Sequence, residues 1–423
     1  MIAMPWLVMS SSCGMYSTQR PFGTAADLAQ TALAPAANAQ AASVNYWHHF
    51  TSTTEFKGLE KVIGLFAAKY PNIKLVQENI PNPEYMAKMT AATMANARPN
   101  IAMVTAERLD DLVAMGALTD LTDRIKSWPR YGEYPAQAWA GVTKAGNIYG
   151  VPAFTFIDWM YYRKDWLDEA GLAAPKTMAD FAAAAVKFTD PSKNRYGFAL
   201  RGGPGGYKFV LDLFEAFGSP IVKDGKPAID KARTTEALRF YTELLTKQKA
   251  VPPSAPGDGY RQIMDSFKTG QSAMVWHHTG SFTEIDAAMK KGTWATAPIP
   301  AGPAAHIVRM SYQFNGLSNP ANADASRNWI SFWGEPDAAI AFLQETGYFP
   351  SSPQVAADPR ITGNPLYGAA IETTKFGRLP VAFTGVAGWS DNVVQPELQK
   401  ALTGRSTPAQ AVDAMIAGLE QAF

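Results

Sequence analysis

Seven aromatic side chains stand where predicted strands end or in predicted loops, outside the helical stripes. They are Trp47, Trp159, Tyr207, Trp276, Phe282, Tyr312 and Trp389. By contrast, Phe56, Phe66, Phe240 and Phe342 keep helical spacing and are predicted to be core residues. Flat apolar rings can lie against the faces of a sugar while a few polar groups fix its hydroxyls. As a set, these rings predict a carbohydrate-binding cleft, with packing as the alternative for each single ring.

Histidine is scarce, and four of the five residues form two adjacent pairs at predicted strand ends, His48 with His49 and His277 with His278. Neighbouring residues on a strand face opposite sides, so each pair offers one metal ligand unless the loop curls. One histidine of each pair is therefore predicted to contact a polar ligand. Structural hydrogen bonding and metal binding remain as alternatives.

Catalytic signatures are absent from the sequence. It contains no G-x-S-x-G, H-E-x-x-H, phosphate-loop lysine motif or EF-hand spacing. The glycine-rich loop 202–206 lacks the spacing of a dinucleotide fingerprint and is interpreted as a turn. Asp110, Asp111, Asp120 and Asp123 lie beside predicted helix ends and are interpreted as solvated caps. We therefore predict no catalytic residue, no cofactor and no bound metal.

The composition narrows the class of protein further. With 423 residues the chain is long enough for two or three domains. Its 38 basic and 37 acidic residues give a net charge of +1, which argues against nucleic acid as a partner. A single cysteine excludes internal disulfides, and no apolar run reaches the length of a membrane-spanning helix.

These residues must be positioned by an alternation of strands and helices that begins at residue 43. The predicted order is strand 43–47, helix 52–70, strand 73–76, helix 84–97, strand 101–105 and helix 107–115. Such alternation predicts a parallel sheet with ligands at the carboxyl ends of its strands. Further on, an extended aromatic segment at 153–162 and the prolines at 298–303 are predicted to cross between two lobes. Residues 307–317 are predicted to form a pair of strands.

Residues 1–42 are predicted to be a cleaved export signal. Small residues at 37–41 are typical of a signal-peptidase site. The stretch 17–23 resembles a twin-arginine signal in which Gln19 replaces the first arginine, so a twin-arginine or general secretory route is open. A lipoprotein anchor at Cys13 and a cytosolic tail are the alternatives.

The order of segments after residue 43 resembles the extracellular solute-binding proteins of ABC importers, in the family-one group of maltose- and oligosaccharide-binding proteins. The segments that carry the resemblance are 66–75 (FAAKYPNIKL), 148–152 (IYGVP), 160–165 (MYYRKD), 170–172 (AGL), 175–177 (PKT), 267–274 (FKTGQSAM), 298–303 (PIPAGP) and 346–350 (TGYFP). No single segment is decisive, but their order along the chain is specific.

The resemblance implies an α/β protein with two lobes, each a mainly parallel sheet flanked by helices, joined by hinge crossovers. Lobe one would comprise 43–152 and about 304–350, and lobe two 153–303 and about 351–423. The resemblance also implies a non-catalytic, monomeric periplasmic receptor. Such a receptor closes on a sugar or oligosaccharide and delivers it to permease subunits. A polysaccharide-active lyase or hydrolase and a metal-binding receptor are the alternatives. Neutral oligosaccharide, uronate and sugar phosphate all remain open as ligands.

Carried over onto this sequence, the resemblance implies ligand contacts from the loops after the first and third strands and after the first crossover. Phe282 stands at the family's stacking position and Trp389 at a late aromatic position, whereas Trp276 and His277 replace a plainer strand end. The predicted ligand-binding residues are His48, His49, Phe50, Glu107, Asp158, Trp159, Tyr207, Trp276, His277, Phe282, Tyr312 and Trp389.

Overall fold

The computed structural model describes residues 42–423, apart from the side chains of Asn82 and Pro83, and Ala42–Phe423 form one compact unit. Its strands are β1 Ala42–His48, β2 Ile73–Asn79, β3 Ile101–Thr105, β4 Thr143–Lys144, β5 Asn147–Ile148, β6 Gly150–Tyr162, β7 Tyr196–Ala199, β8 Val222–Lys223, β9 Lys226–Pro227, β10 Ser272–His278, β11 Ala295–Ala297, β12 Val308–Leu317, β13 Phe349–Pro350 and β14 Gly377–Arg378.

Helices fill the spaces between these strands. They are α1 Thr53–Lys69, α2 Asn82–Met94, α3 Leu109–Ala114, α4 Thr122–Lys126, α5 Ala136–Ala140, α6 Lys164–Glu169, α7 Met178–Lys187, α8 Tyr207–Ala216, α9 Lys231–Thr246, α10 Tyr260–Lys268, α11 Phe282–Ala288, α12 Ala323–Phe332, α13 Pro336–Thr346, α14 Pro353–Ala356, α15 Pro359–Thr362, α16 Gly368–Thr373, α17 Val386–Trp389, α18 Gln395–Leu402 and α19 Pro408–Gln421. None of the helices between residues 42 and 423 has the length and apolar character of a membrane span.

One mixed sheet runs through the unit in the order β2-β1-β3-β12-β6-β10-β7. The pairs at its two ends are parallel, β2 with β1 and β1 with β3 at one end, β10 with β7 at the other. At the centre of the sheet, β12 pairs antiparallel with both β3 and β6, and β6 pairs antiparallel with β10. Strand β6 pairs with β12 over Gly150–Ile157 and with β10 over Asp158–Tyr162.

Buried apolar side chains form two clusters, which we call the first core and the second core. The first core includes Val44 of β1, Leu59 of α1 and Phe342 of α13. The second core includes Phe198 of β7 and Val210 of α8. Two cores on one sheet, flanked by helices, confirm the predicted two-lobed α/β class.

The membership of the two cores differs from the predicted lobe boundaries. Side chains of α10, α11, α15 and α16 pack in the first core, although the sequence assigns their residues to lobe two. Ile299 of the proline-rich segment belongs to the second core. The strand that leads from the second core to the first is β12, from Val308 to Leu317. The boundaries between the lobes stay a prediction.

Local sequence signals explain where several elements begin. Ser52 and Glu55 form the predicted capping box at the start of α1, because the Ser52 hydroxyl accepts from Glu55 N while the Glu55 carboxylate accepts from Ser52 N. Thr407 and Gln410 do the same at α19.

Two predictions were wrong. Residues 308–317 form one strand instead of two, because no turn interrupts their pairing with β6. Trp389, predicted in a loop, ends helix α17, which a π-helical turn joins to α18.

Candidate functional site

A cleft of about 760 Å³ lies between elements that pack on the first core and elements that pack on the second. Its first wall comes from the start of α1, from α10 and α11 and from Tyr348. Its second wall comes from the loop after β7 and from the start of α8. Strands β6, β10 and β12 form its floor. The lining residues are Thr51, Ser52, Thr53, Thr54, Glu55, Asp158, Arg201, Lys208, Phe209, Tyr260, Arg261, His277, His278, Gly280, Thr283, Glu284, Ala287, Arg309 and Tyr348.

An ion pair between two neighbouring strands lies on the cleft floor. Arg309 of β12 donates from Nε to Asp158 Oδ2 of β6 at 3.1 Å, and its Nη2 donates to the same oxygen. The side chains are 16% and 3% exposed, so water screens this pair poorly. Burial acts to lower the pKa of Arg309, but the Asp158 and Asp212 carboxyls raise it above the ordinary value. Arg309 is therefore a fixed positive charge.

Arg201 follows β7 and is held by the glycine-rich loop. Its Nε donates to Pro204 O at 2.8 Å, which folds the guanidinium back over the loop. Gly205 has a φ of +80°, and a Cβ at this position would lie 2.5 Å from Arg201 Nη2. The loop amides of Gly202 and Gly203 donate to Ala255 O and Asp258 O, each at 2.9 Å. The loop is thus a turn, as predicted, and it presents the arginine side chain to the cleft.

Lys208 lies in the first turn of α8, next to Tyr207. Its side chain is exposed to water in the cleft. Within residues 42–423 its ammonium group makes no hydrogen bond or ion pair. The positive charge of Arg309, followed by burial, lowers the pKa of Lys208 to about 8. Lys208 is therefore a cation held beside other cations.

The carboxylates of the first wall are fully engaged with neighbouring donors. Glu55 accepts from Thr51 N and Ser52 N, both at 2.8 Å, and from the Tyr348 hydroxyl at 2.9 Å. Glu284 accepts from the Tyr260 hydroxyl at 2.7 Å and forms an ion pair with Lys268. These bonds fix the position of two tyrosine rings at the cleft surface.

His277 and His278 both line the cleft, since the end of β10 curls into a short 3₁₀ turn at Thr279–Ser281. Their ring centroids are 4.1 Å apart, and the His277 ring also packs 4.7 Å from the Tyr260 ring. Burial lowers the pKa of His277 well below its ordinary value and that of His278 to about 4. Both rings are therefore neutral at physiological pH and act as polar contacts. No group of three or more metal-ligating side chains occurs among the described residues.

A smaller cavity of about 240 Å³ adjoins the cleft behind the ion pair. It shares Asp158, Lys208 and Arg309 with the cleft and is also lined by Glu107. The Glu107 carboxylate accepts from the Ser311 hydroxyl at 2.6 Å.

Of the predicted ligand-binding residues, the structure brings Asp158 and His277 to the cleft and Glu107 to the adjoining cavity. Tyr207 is half-buried against the second core beside Lys208. His48 Nε2 donates to Gln77 Oε1 at 2.7 Å, and the His49 ring packs edge-on against Tyr85. None of these last three side chains lines the cleft.

The remaining predicted rings are buried in the two cores. Those of the first core are Phe50, Trp159, Phe282 and Tyr312, and those of the second are Trp276 and Trp389. Trp276 packs between Phe181 and Phe198, on the face of β10 opposite to His277. The Trp389 indole donates to Met415 O at 2.9 Å. None of these six rings lines the cleft, and its aromatic surface comes from Tyr260, Tyr348 and Phe209.

Several cleft residues were not predicted from the sequence, chiefly Arg201, Lys208, Tyr260 and Arg309. A usable signal existed for Arg201, because it lies two residues after β7, at the strand end where parallel sheets bind ligands. Lys208, Tyr260 and Arg309 belong to segments far apart in the sequence, and only the fold brings them together.

Comparison with known proteins gives consistent matches. Residues 51–340 match the family model of bacterial extracellular solute-binding proteins. A maltotriose-binding protein of Pyrococcus abyssi is 22% identical over 82% of this chain and 77% of its own length. An sn-glycerol-3-phosphate-binding periplasmic protein of Escherichia coli is 25% identical over 94% of this chain and 96% of its own.

Solved structures share the fold. Maltose-bound MalE3 of T. maritima superposes with a TM-score of 0.79 at 22% identity, covering 90% of this chain and 100% of that one. The sugar-binding protein MalE of Xanthomonas citri gives a TM-score of 0.80 at 18% identity, covering 90% and 97%.

Proposed function

The chain belongs to the bacterial extracellular solute-binding protein family, and from this premise we propose that its cleft binds a sugar or oligosaccharide for delivery to an ABC importer. The observation that carries the proposal is the cleft of about 760 Å³ between the two cores, where tyrosine rings lie beside hydroxyls and charged groups. Rings can stack on a sugar while such groups bond its hydroxyls. Two relatives named for maltotriose and for sn-glycerol-3-phosphate binding support this class of solute.

The receptor works by closing on its ligand. The two walls of the cleft pack on different cores, so a bound solute can contact both walls. The solute stabilises the closed arrangement because it binds that state more tightly than the open one. A micromolar dissociation constant corresponds to about −8 kcal/mol, which a few stacked rings and hydrogen bonds can supply. We propose that Asp158 and His277 contact the solute, as the sequence predicts, and that Tyr260 is the principal stacking ring.

Replacing Tyr260 by alanine is expected to weaken solute binding by about 1–3 kcal/mol, because a large ring leaves the cleft surface. A thermal-shift screen against a carbohydrate panel first identifies a bound sugar, and calorimetry then measures its affinity. Tyr260→Phe is the matched control, because it keeps the ring and removes the hydroxyl that donates to Glu284.

Wild-type affinity in Tyr260→Ala would reject Tyr260 as the stacking ring. If no sugar in the panel raises the melting temperature, carbohydrate is the wrong class of solute. Small-angle scattering on the same samples should show a smaller radius of gyration with saturating sugar, and an unchanged radius would contradict closure of an open free form.

We also propose that the protein is a periplasmic monomer whose residues 1–42, of which all but Ala42 lie outside the described residues, act as an export signal. The closed form would then dock on the permease subunits of the importer. Mass spectrometry of the exported protein is expected to find a chain that starts near residue 42. An exported chain that still carries Met1 would contradict the cleaved signal.

A further inference from the structure

The second wall and the floor of the cleft together present three cationic side chains. Arg201, Lys208 and Arg309 come from the loop after β7, from α8 and from β12. Asp158 is the only carboxylate among the described residues that bonds directly to any of the three, and it binds Arg309. The Glu107 carboxylate, in the adjoining cavity, accepts from the Ser311 hydroxyl. Arg201 and Lys208 therefore have no carboxylate bonded to them within residues 42–423.

The three cations differ in what they already bind. Arg309 is held by Asp158, and the Arg201 guanidinium is bonded through Nε to a backbone carbonyl. The Lys208 ammonium has no hydrogen-bond or ion-pair partner within residues 42–423, and its side chain is exposed to water in the cleft. It is therefore available to donate charge-assisted hydrogen bonds to an anion in the cleft. No carboxylate of the first wall serves, because Glu55 and Glu284 are engaged by other donors.

From this geometry we infer that the solute carries an anionic group, a carboxylate or a phosphate, that binds between Lys208, Arg201 and Arg309. The inference rests on the proposed carbohydrate-binding function and narrows it to acidic sugars, such as uronates or sugar phosphates. Guanidinium and ammonium groups are suited to both anions, because each donates charge-assisted hydrogen bonds to oxygens that share a negative charge. The sugar ring would then extend along the cleft toward Tyr260.

The test compares matched pairs of probes on the purified exported protein. Glucose is compared with glucose 6-phosphate, and galactobiose with digalacturonate, by thermal shift and calorimetry, with inorganic phosphate as a separate arm. At least one charged probe is expected to bind roughly tenfold or more tighter than its neutral partner. The phosphate pair and the uronate pair distinguish the two sources of the anion.

The location is tested with Lys208→Gln. This variant should weaken binding of the charged probe by roughly tenfold to a hundredfold, the scale of a hydrogen bond to a charged group, and leave a neutral sugar unchanged. Lys223→Gln is the matched control, since Lys223 is exposed in the β8–β9 hairpin. Loss of a charge there should change neither affinity.

A pH titration gives a second readout. The pKa of Lys208 is about 8. The charges of Arg309 and Arg201 and burial lower this pKa, whereas Glu107 and Asp158 act to raise it. Raising the pH from about 7 to about 9 deprotonates this lysine, so affinity for the charged probe should fall while affinity for a neutral sugar stays constant. Both histidines are already neutral there, and the titration uses the carboxylate probe because a carboxylate keeps its charge in this range.

The outcomes separate the two proposals. If neutral sugars bind as tightly as their charged partners, the anionic inference fails and the carbohydrate proposal stands. Unchanged affinity of the charged probe in Lys208→Gln also overturns the inference, because the anion then binds elsewhere. Binding of inorganic phosphate alone, with no shift by any sugar, rejects both proposals.

Discussion

Replacing Asp158 by alanine is expected to lower the free energy of unfolding by about 3–5 kcal/mol. The change leaves the Arg309 guanidinium without its carboxylate, and Arg309 is only 16% exposed. A buried charge that loses its partner pays the full desolvation cost, which is larger than the net contribution of the pair. Urea denaturation followed by circular dichroism measures the difference.

A surface ion pair provides the matched control. Asp324, whose side chain is 82% exposed, pairs with Arg124, and Asp324→Ala should cost less than about 1 kcal/mol. The double variant Asp158→Leu with Arg309→Met removes both charges and should lose less stability than Asp158→Ala alone. Equal losses in Asp158→Ala and in the surface control would show that the floor ion pair does not stabilise the fold.

Replacing Trp276 by alanine is expected to destabilise the protein by about 3–5 kcal/mol, the range for deleting a large buried ring. Its indole is 2% exposed and packs 4.8 Å from the Phe181 ring and 5.0 Å from the Phe198 ring, measured between centroids. Phe423→Ala is the control, because Phe423 is 53% exposed and its loss should cost less than about 1 kcal/mol. Denaturant melts of the ligand-free variants provide the measurement.

The folded fraction of Trp276→Ala should bind sugar with an affinity close to that of the wild type. Wild-type stability combined with a large loss of affinity would instead make Trp276 a stacking ring, as the sequence predicts. Measuring affinity and stability on the same variant therefore decides between the two interpretations.

Much of the fold could be predicted because its signals are local. The capping box at Ser52 and Glu55 and the strand 101–105 depend on neighbouring residues alone. The aromatic positions could not be resolved in the same way. Alternation along β10 predicts that Trp276 and His277 face opposite sides, but not that a second core lies on the tryptophan side.

The candidate site was less predictable because its members are distant in the sequence. Asp158 could be predicted through the family resemblance, whereas Arg309, its partner, is 151 residues away. Charge counting over the whole chain gives a net value of +1 and conceals the local excess at Arg201 and Lys208. The local charge of the cleft depends on how the helices and strands pack. Amino-acid composition carries no information about that packing.

The composition of the first core has a consequence for the order of folding. Helix α1, near the start of the described chain, packs against α13, and β3 pairs with β12, so partners in this core are separated by more than two hundred residues. The core therefore cannot close until most of the chain has been synthesised, and long-range pairing of this kind is slow. Until α13 and β12 have been made, the apolar faces of α1 and β3 stay open to water, which exposes the nascent chain to aggregation.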